Sequence, residues 1–115
     1  MKVTIWHNPR CSKSRQTLQI LRDQGIEPVI IEYLKDPPDS EEIRRVLDLL
    51  GIDPRQLMRS GEQDYKEQNL ADEALDDAGL IAAMTTWPRV IQRPVVLANG
   101  KAAIGRPPEA ILDIL

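Results

Sequence analysis

His7 and Cys11 are the only histidine and the only cysteine of this chain, and they stand four positions apart in the stretch "HNPRCSKSR", residues 7–15. That stretch also carries Arg10, Lys13 and Arg15 and no acidic residue, within a chain whose net charge is −3. Positive charge near a thiol raises the fraction present as thiolate, the form that attacks electrophiles. Arg10, Lys13 and a protonated His7 would each act in that direction, as would the unpaired N–H groups and positive dipole end of a helix starting at or just after Cys11, so the pattern points to a reactive thiolate there. The competing reading is structural, because free cysteines are among the most buried residues.

Ser14 follows Cys11 by three positions, so a helix beginning here sets both side chains on one side. Its hydroxyl could donate to the thiolate or to a bound oxyanion, or it could be an ordinary first-turn serine bonded to backbone. Cys11 to Ser14 reads C-x-x-S, a dithiol redox motif with its second thiol removed. Such a site can begin thiol exchange but needs an external thiol to complete it. His7 could orient the thiol, or it could simply end a strand.

Three arginines stand at the ends of expected elements: Arg59 after a short helix, Arg93 before Pro94, and Arg106 between Gly105 and Pro107. Guanidinium forks suit tetrahedral oxyanions because they bind two oxygens at fixed geometry and stay charged. Arginines in such places also serve as solvated residues or cap carbonyls, and the sequence leaves both roles open.

The elements that must position these groups can be read from periodicity. "KVTIWH", residues 2–7, alternates as a strand and is broken by Asn8-Pro9; from Ser12 the spacing of Ser14, Leu18 and Leu21 is helical, with Gly25 as the stop. "VIIEY", residues 29–33, predicts a second strand and hence a right-handed βαβ unit. Asp39 with Glu42 resembles a capping box, Ile43, Val46, Leu47 and Leu50 repeat at helical spacing, and Gly51 ends the run. Asp53-Pro54 opens a short helix to about Met58, and further helices are expected near 64–68 and 76–86. In 94–105, Asn99-Gly100 between two apolar runs predicts a hairpin. Proline near the start of "PPEAILDIL", with apolar Ile111, Leu112 and Leu115, predicts a final helix. The expected architecture is α/β: βαβ, a helical insertion at about 39–88, then ββα around a mixed four-stranded sheet. That order matches a thioredoxin-like core.

Composition bounds the alternatives. A chain of 115 residues is the size of one domain, and no linker or repeat divides it. The longest apolar run, "LIAAM", is too short to cross a bilayer, and no signal region precedes the first strand, so a cytoplasmic protein with no membrane partner is expected. The pI of about 5.1 argues against nucleic-acid binding. A lone cysteine fits a reducing compartment, and with one histidine it supplies no structural metal site. The absence of heptads suggests a monomer.

Taken in order, "HNPRCSKSR", "YLKDPP", "LMRSGE", "IQRPVV" and "IGRPPE" resemble the glutaredoxin-linked arsenate reductase family, from Lys2 to Leu115. The resemblance implies that Cys11 attacks arsenate, that Arg59, Arg93 and Arg106 hold the oxyanion, and that His7 and Ser14 are the loop residues of the site. It implies that Pro94 is the cis-proline beside the active cysteine. No cofactor is implied to be bound; glutathione is the co-substrate and glutaredoxin the protein partner. Two neighbouring readings use the same fold. One is a glutathione-dependent thiol oxidoreductase, which needs no arginine triad. The other is an Spx-type regulator binding RNA polymerase, whose switch uses C-x-x-C where this chain has C-x-x-S. A cysteine phosphatase would need arginine six positions after Cys11, where Thr17 stands.

Overall fold

The computed structural model describes residues 2–115, with β1 at Thr4–Trp6, α1 at Ser12–Asp23, β2 at Val29–Ile31, α2 at Ser40–Leu50, α3 at Gln63–Glu67, α4 at Asp77–Thr86, β3 at Val95–Ala98 and β4 at Lys101–Ile104. Short 3₁₀ turns occupy Pro54–Leu57, Pro88–Val90 and Pro108–Ile114. The chain divides into a sheet unit, made of the described residues up to Asp36 with Arg93–Leu115, and a helical unit, Pro37–Gln92.

In the sheet unit the strand order is β2-β1-β3-β4, with β1 parallel to β2 and antiparallel to β3, and β3 antiparallel to β4. The alternation read from the sequence sends Ile5, Val96 and Ala98 to one face, where they pack with Val3, Leu18, Leu21, Ile111 and Ile114. Each of the large apolar side chains buried there contributes about 1.5–3 kcal/mol. The hairpin forms at Asn99 and Gly100, both with positive φ, 55° and 71°, as a primed two-residue turn requires.

Register positions the chemistry. Trp6 pairs with Val95, and Val95 pairs with Ile104. The segments that follow β1, precede β3 and follow β4 therefore emerge at the same end of the strands, and these carry Cys11, Arg93 and Arg106.

The last element departs from expectation: Pro108–Ile114 is a 3₁₀ helix, not an α-helix. Three residues per turn place Pro108, Ile111 and Ile114 on one buried face, and Leu112, expected to pack inward, is 41% exposed.

In the helical unit, Asp39 and Asp76 cap α2 and α4, accepting from the Glu42 and Gly79 N–H groups at 2.8 Å each. The box at Asp39 is one-sided, because the Glu42 carboxylate pairs with Arg45 at 2.7 Å. At Asp53 the return arm is present: the Gln56 side chain accepts from Asp53 N–H at 2.8 Å, although the turn it opens is 3₁₀. Arg55 ties this turn to the following segment, donating to Tyr65 Oη at 3.0 Å, the Leu70 carbonyl at 2.7 Å and the Asp72 carbonyl at 3.1 Å. No helix among the described residues is long and apolar enough to cross a membrane.

Candidate active site

Asn8-Pro9-Arg10-Cys11 is a tight turn as well as a strand break. Asparagine at its first position and proline at its second are what a type I turn favours. The Cys11 N–H donates to the Asn8 carbonyl at 3.0 Å, and Asn8 Oδ1 accepts from Arg10 N–H at 3.0 Å. Arg15, one turn into α1, reaches back to the Pro9 carbonyl at 2.9 Å. The sequence marked Asn8-Pro9 as a break and Arg15 as a nearby charge, and their bonds closing this turn appear only in the structure.

The turn delivers Cys11 to the N-cap of α1 in extended backbone, φ −93° and ψ 122°, and leaves it part-exposed. Burial alone would raise the thiol pKa. The Ser14 N–H, the Arg93 guanidinium through hydrogen bonding and charge, and the Lys13 N–H outweigh it, and the net shift is downward. The sequence expectation of a lowered pKa holds, with backbone N–H groups of the helix start acting as expected and a different cation beside them. Lys13 acts through its backbone N–H, and the cationic side chain is Arg93, far away in the chain.

His7 and Ser14 are both buried, at 6% and 0% exposure. Ser14 Oγ accepts from Asn8 N–H at 3.0 Å and shares a 2.6 Å hydrogen bond with His7 Nδ1. The hydroxyl is thus engaged in closing the loop, while the Ser14 backbone N–H favours the thiolate. His7 does not supply the positive charge considered from the sequence. Burial lowers its pKa, Glu32 raises it and Arg22 and Arg15 lower it, with a net downward shift that leaves the ring neutral at pH 7.

The peptides Arg93–Pro94 and Arg106–Pro107 are both cis. Arg106 Nε donates to the Arg93 carbonyl at 2.8 Å, and Gly105 N–H donates to the Pro94 carbonyl at 2.9 Å. Gly105 was overlooked in the sequence. A Cβ there would lie 2.5 Å from Thr17 Oγ1 and 2.7 Å from Pro94 Cγ, so only glycine lets this strand end approach α1 and the proline. Arg59 belongs to the helical unit, where its N–H donates to the Val90 carbonyl at 2.6 Å and its guanidinium lies 3.6 Å from Glu62. Cys11, His7, Ser14, Arg93, Pro94 and Arg106 all belong to the sheet unit.

A mixed sheet of this order, with one cysteine at the start of α1 and an arginine and cis-proline entering β3, defines a thioredoxin-like protein built around a single thiol. The sequence profile of the ArsC family matches residues 6–114, and the chain belongs to that family. It is 51% identical over 115 residues to the "Uncharacterized protein YfgD" of Escherichia coli strain K12, covering 99% of this chain and 97% of that one. It is 45% identical over 116 aligned positions to a Haemophilus influenzae protein named arsenate reductase, with all of both chains covered. A solved structure described as an arsenate reductase from Vibrio cholerae matches at a TM-score of 0.97 and 51% identity, covering 100% of this chain and 98% of that chain.

Proposed function

We propose that this protein reduces arsenate to arsenite, with glutathione and glutaredoxin as the source of electrons. The observation that carries the reading is the convergence of two backbone N–H groups and the Arg93 guanidinium on the Cys11 sulfur. A thiolate and an arsenate repel each other, and fixed donors aimed at their meeting point are what lowers the barrier. Membership of a family whose relatives are named arsenate reductase supports the choice of oxyanion.

In this reading Cys11 attacks arsenic, forming a sulfur–arsenic bond as one arsenate oxygen leaves as water or hydroxide. Arg93 and Arg106 hold the remaining oxygens, and the N-terminus of α1 adds its dipole. Glutathione then attacks the Cys11 sulfur, the sulfur–arsenic bond breaks, and its electron pair stays on arsenic, which falls from the +5 to the +3 state. The two thiols become a mixed disulfide between Cys11 and glutathione, which glutaredoxin reduces by exchange. His7 and Ser14 keep the loop in place. The lone cysteine accords with this scheme, because an internal relay would need a second thiol, and with a reducing cytoplasmic setting.

The test is arsenate-dependent NADPH consumption coupled through glutathione reductase, glutathione and glutaredoxin. Wild type should turn over, Cys11→Ser should be inactive, and Arg93→Ala should be strongly impaired. If no arsenate-dependent rate appears and Cys11 still becomes glutathionylated, the protein is a thiol oxidoreductase on the same fold.

A further inference from the structure

Behind the cysteine loop, on the side of β2, the sheet unit has a second feature that the scheme above does not use. Residues of the turn after β1 and of the segment after β2 line a half-open cavity of about 200 Å³. Its charged lining consists of Arg10, Glu32 and Lys35, and its uncharged wall includes His7, Pro9 and Leu34. Two cations and one carboxylate therefore face a partly apolar space.

That charge set complements one class of thiol. At neutral pH the γ-glutamyl end of glutathione carries one carboxylate and one ammonium group, and the cavity offers cations for the first and a carboxylate for the second. We infer that this cavity binds the γ-glutamyl end of glutathione, with Glu32 receiving the ammonium group and Lys35 and Arg10 receiving carboxylate. This rests on the proposed use of glutathione as the thiol donor.

Four observations support the assignment. The Glu32–Lys35 pair is long, at 3.8 Å, and its side chains are 41% and 81% exposed, so a ligand can replace it at little cost. The cavity is smaller than the range of about 300–1,000 Å³ common for whole-ligand pockets, which suits one end of a tripeptide and leaves the cysteinyl sulfur outside. Arg10 is the direct chain neighbour of Cys11, so a tripeptide anchored here is held beside the cysteine turn. The His7 ring closes one wall and is itself fixed by Ser14, so the cavity and the cysteine turn share a common support.

The experiment uses the full chain and S-methylglutathione, which has the charged ends but no free thiol. Amide resonances of residues 7–10 and 32–35 should shift on titration. Glu32→Gln and the double variant Arg10→Gln/Lys35→Gln should each weaken binding about two- to fivefold, the scale of an exposed ion pair. The same variants should lower the ratio of kcat/KM for glutathione to that for the neutral thiol 2-mercaptoethanol in thiolysis of the Cys11 mixed disulfide. Shifts confined to the neighbourhood of Pro94, or unchanged affinity and thiol preference in both variants, would overturn the inference. Arsenate turnover in wild type is scored separately. Turnover without any effect of these variants removes the cavity's role alone, and cavity binding without turnover removes the arsenate reading alone.

Discussion

Arg106 Nε donates to the main-chain carbonyl of Arg93 at 2.8 Å, thirteen residues away in the chain. One edge of the Arg106 guanidinium is thus spent on fixing its own direction, and in the proposed scheme its two terminal nitrogens meet the oxyanion. Lysine would keep the charge but lose the anchor and the two-pronged geometry. Arg106→Lys is expected to raise KM for arsenate about tenfold, the scale of a bidentate contact reduced to a point charge. Steady-state kinetics with arsenate varied at saturating glutathione check it.

The Cys11 pKa is lowered although burial opposes the change, with the Ser14 N–H and the Arg93 guanidinium prevailing. Alkylation of Cys11 by iodoacetamide should therefore reach its plateau at a lower pH than a free thiol does. In Arg93→Ala the midpoint should move back up toward the ordinary thiol value. The linkage runs in the same direction: a lowered folded pKa stabilises the protein above the ordinary thiol pKa, and that contribution fades as pH falls through the folded value. An unchanged alkylation midpoint in Arg93→Ala would show that the backbone donors suffice alone.

His7 has a lowered pKa, chiefly from burial. Unfolding exposes the ring, so the unfolded chain takes up a proton that the folded protein resists. The stability this supplies is full above the ordinary imidazole value of about 6.5 and is lost as pH falls from there through the lower folded value. His7→Gln, which retains a partner for Ser14 but cannot titrate, should lose less stability than wild type on acidification. Urea midpoints at pH 7.5 and pH 5.5 for the two proteins give the comparison.

Gly105 has no room for a side chain. An added methyl group would stand 2.5 Å from Thr17 Oγ1, itself bonded to the Lys13 carbonyl at 2.8 Å, and 2.7 Å from the Pro94 ring. Neither neighbour is a flexible chain end. Gly105→Ala should cost about 1–3 kcal/mol, the range for overpacked interiors. Because Pro94 and Arg106 flank the clash, the variant should also lose arsenate affinity beyond what unfolding explains. Denaturant titration and arsenate KM, measured on the folded fraction, separate the two effects.

Much of the site could be read from the sequence because its central part is local. The cysteine, the turn before it and the helix after it occupy residues 8–23, and local turn chemistry and helical period are what a sequence displays directly. Asn99-Gly100 fixed the hairpin for the same reason: few residue pairs accept two positive φ values in succession. Helix type was less visible. The apolar spacing in 108–114 suits either an α or a 3₁₀ turn, and the packed face of Pro108, Ile111 and Ile114 selected the latter.

The sequence by itself determined that a thiol would stand at a helix start within a βαβ, insertion, ββα order. It could not say which cations would act on that thiol, because charge acts through space. The nearby Arg10 and Lys13 side chains were the natural candidates, and the pairing of Trp6 with Val95 instead brought Arg93 to the sulfur. Likewise the Ser14 hydroxyl was assigned by burial to His7 and Asn8, and the missing side chain of Gly105 acquired its meaning only when α1, β4 and Pro94 met. Local propensity decides which elements form; register and packing density decide which groups touch.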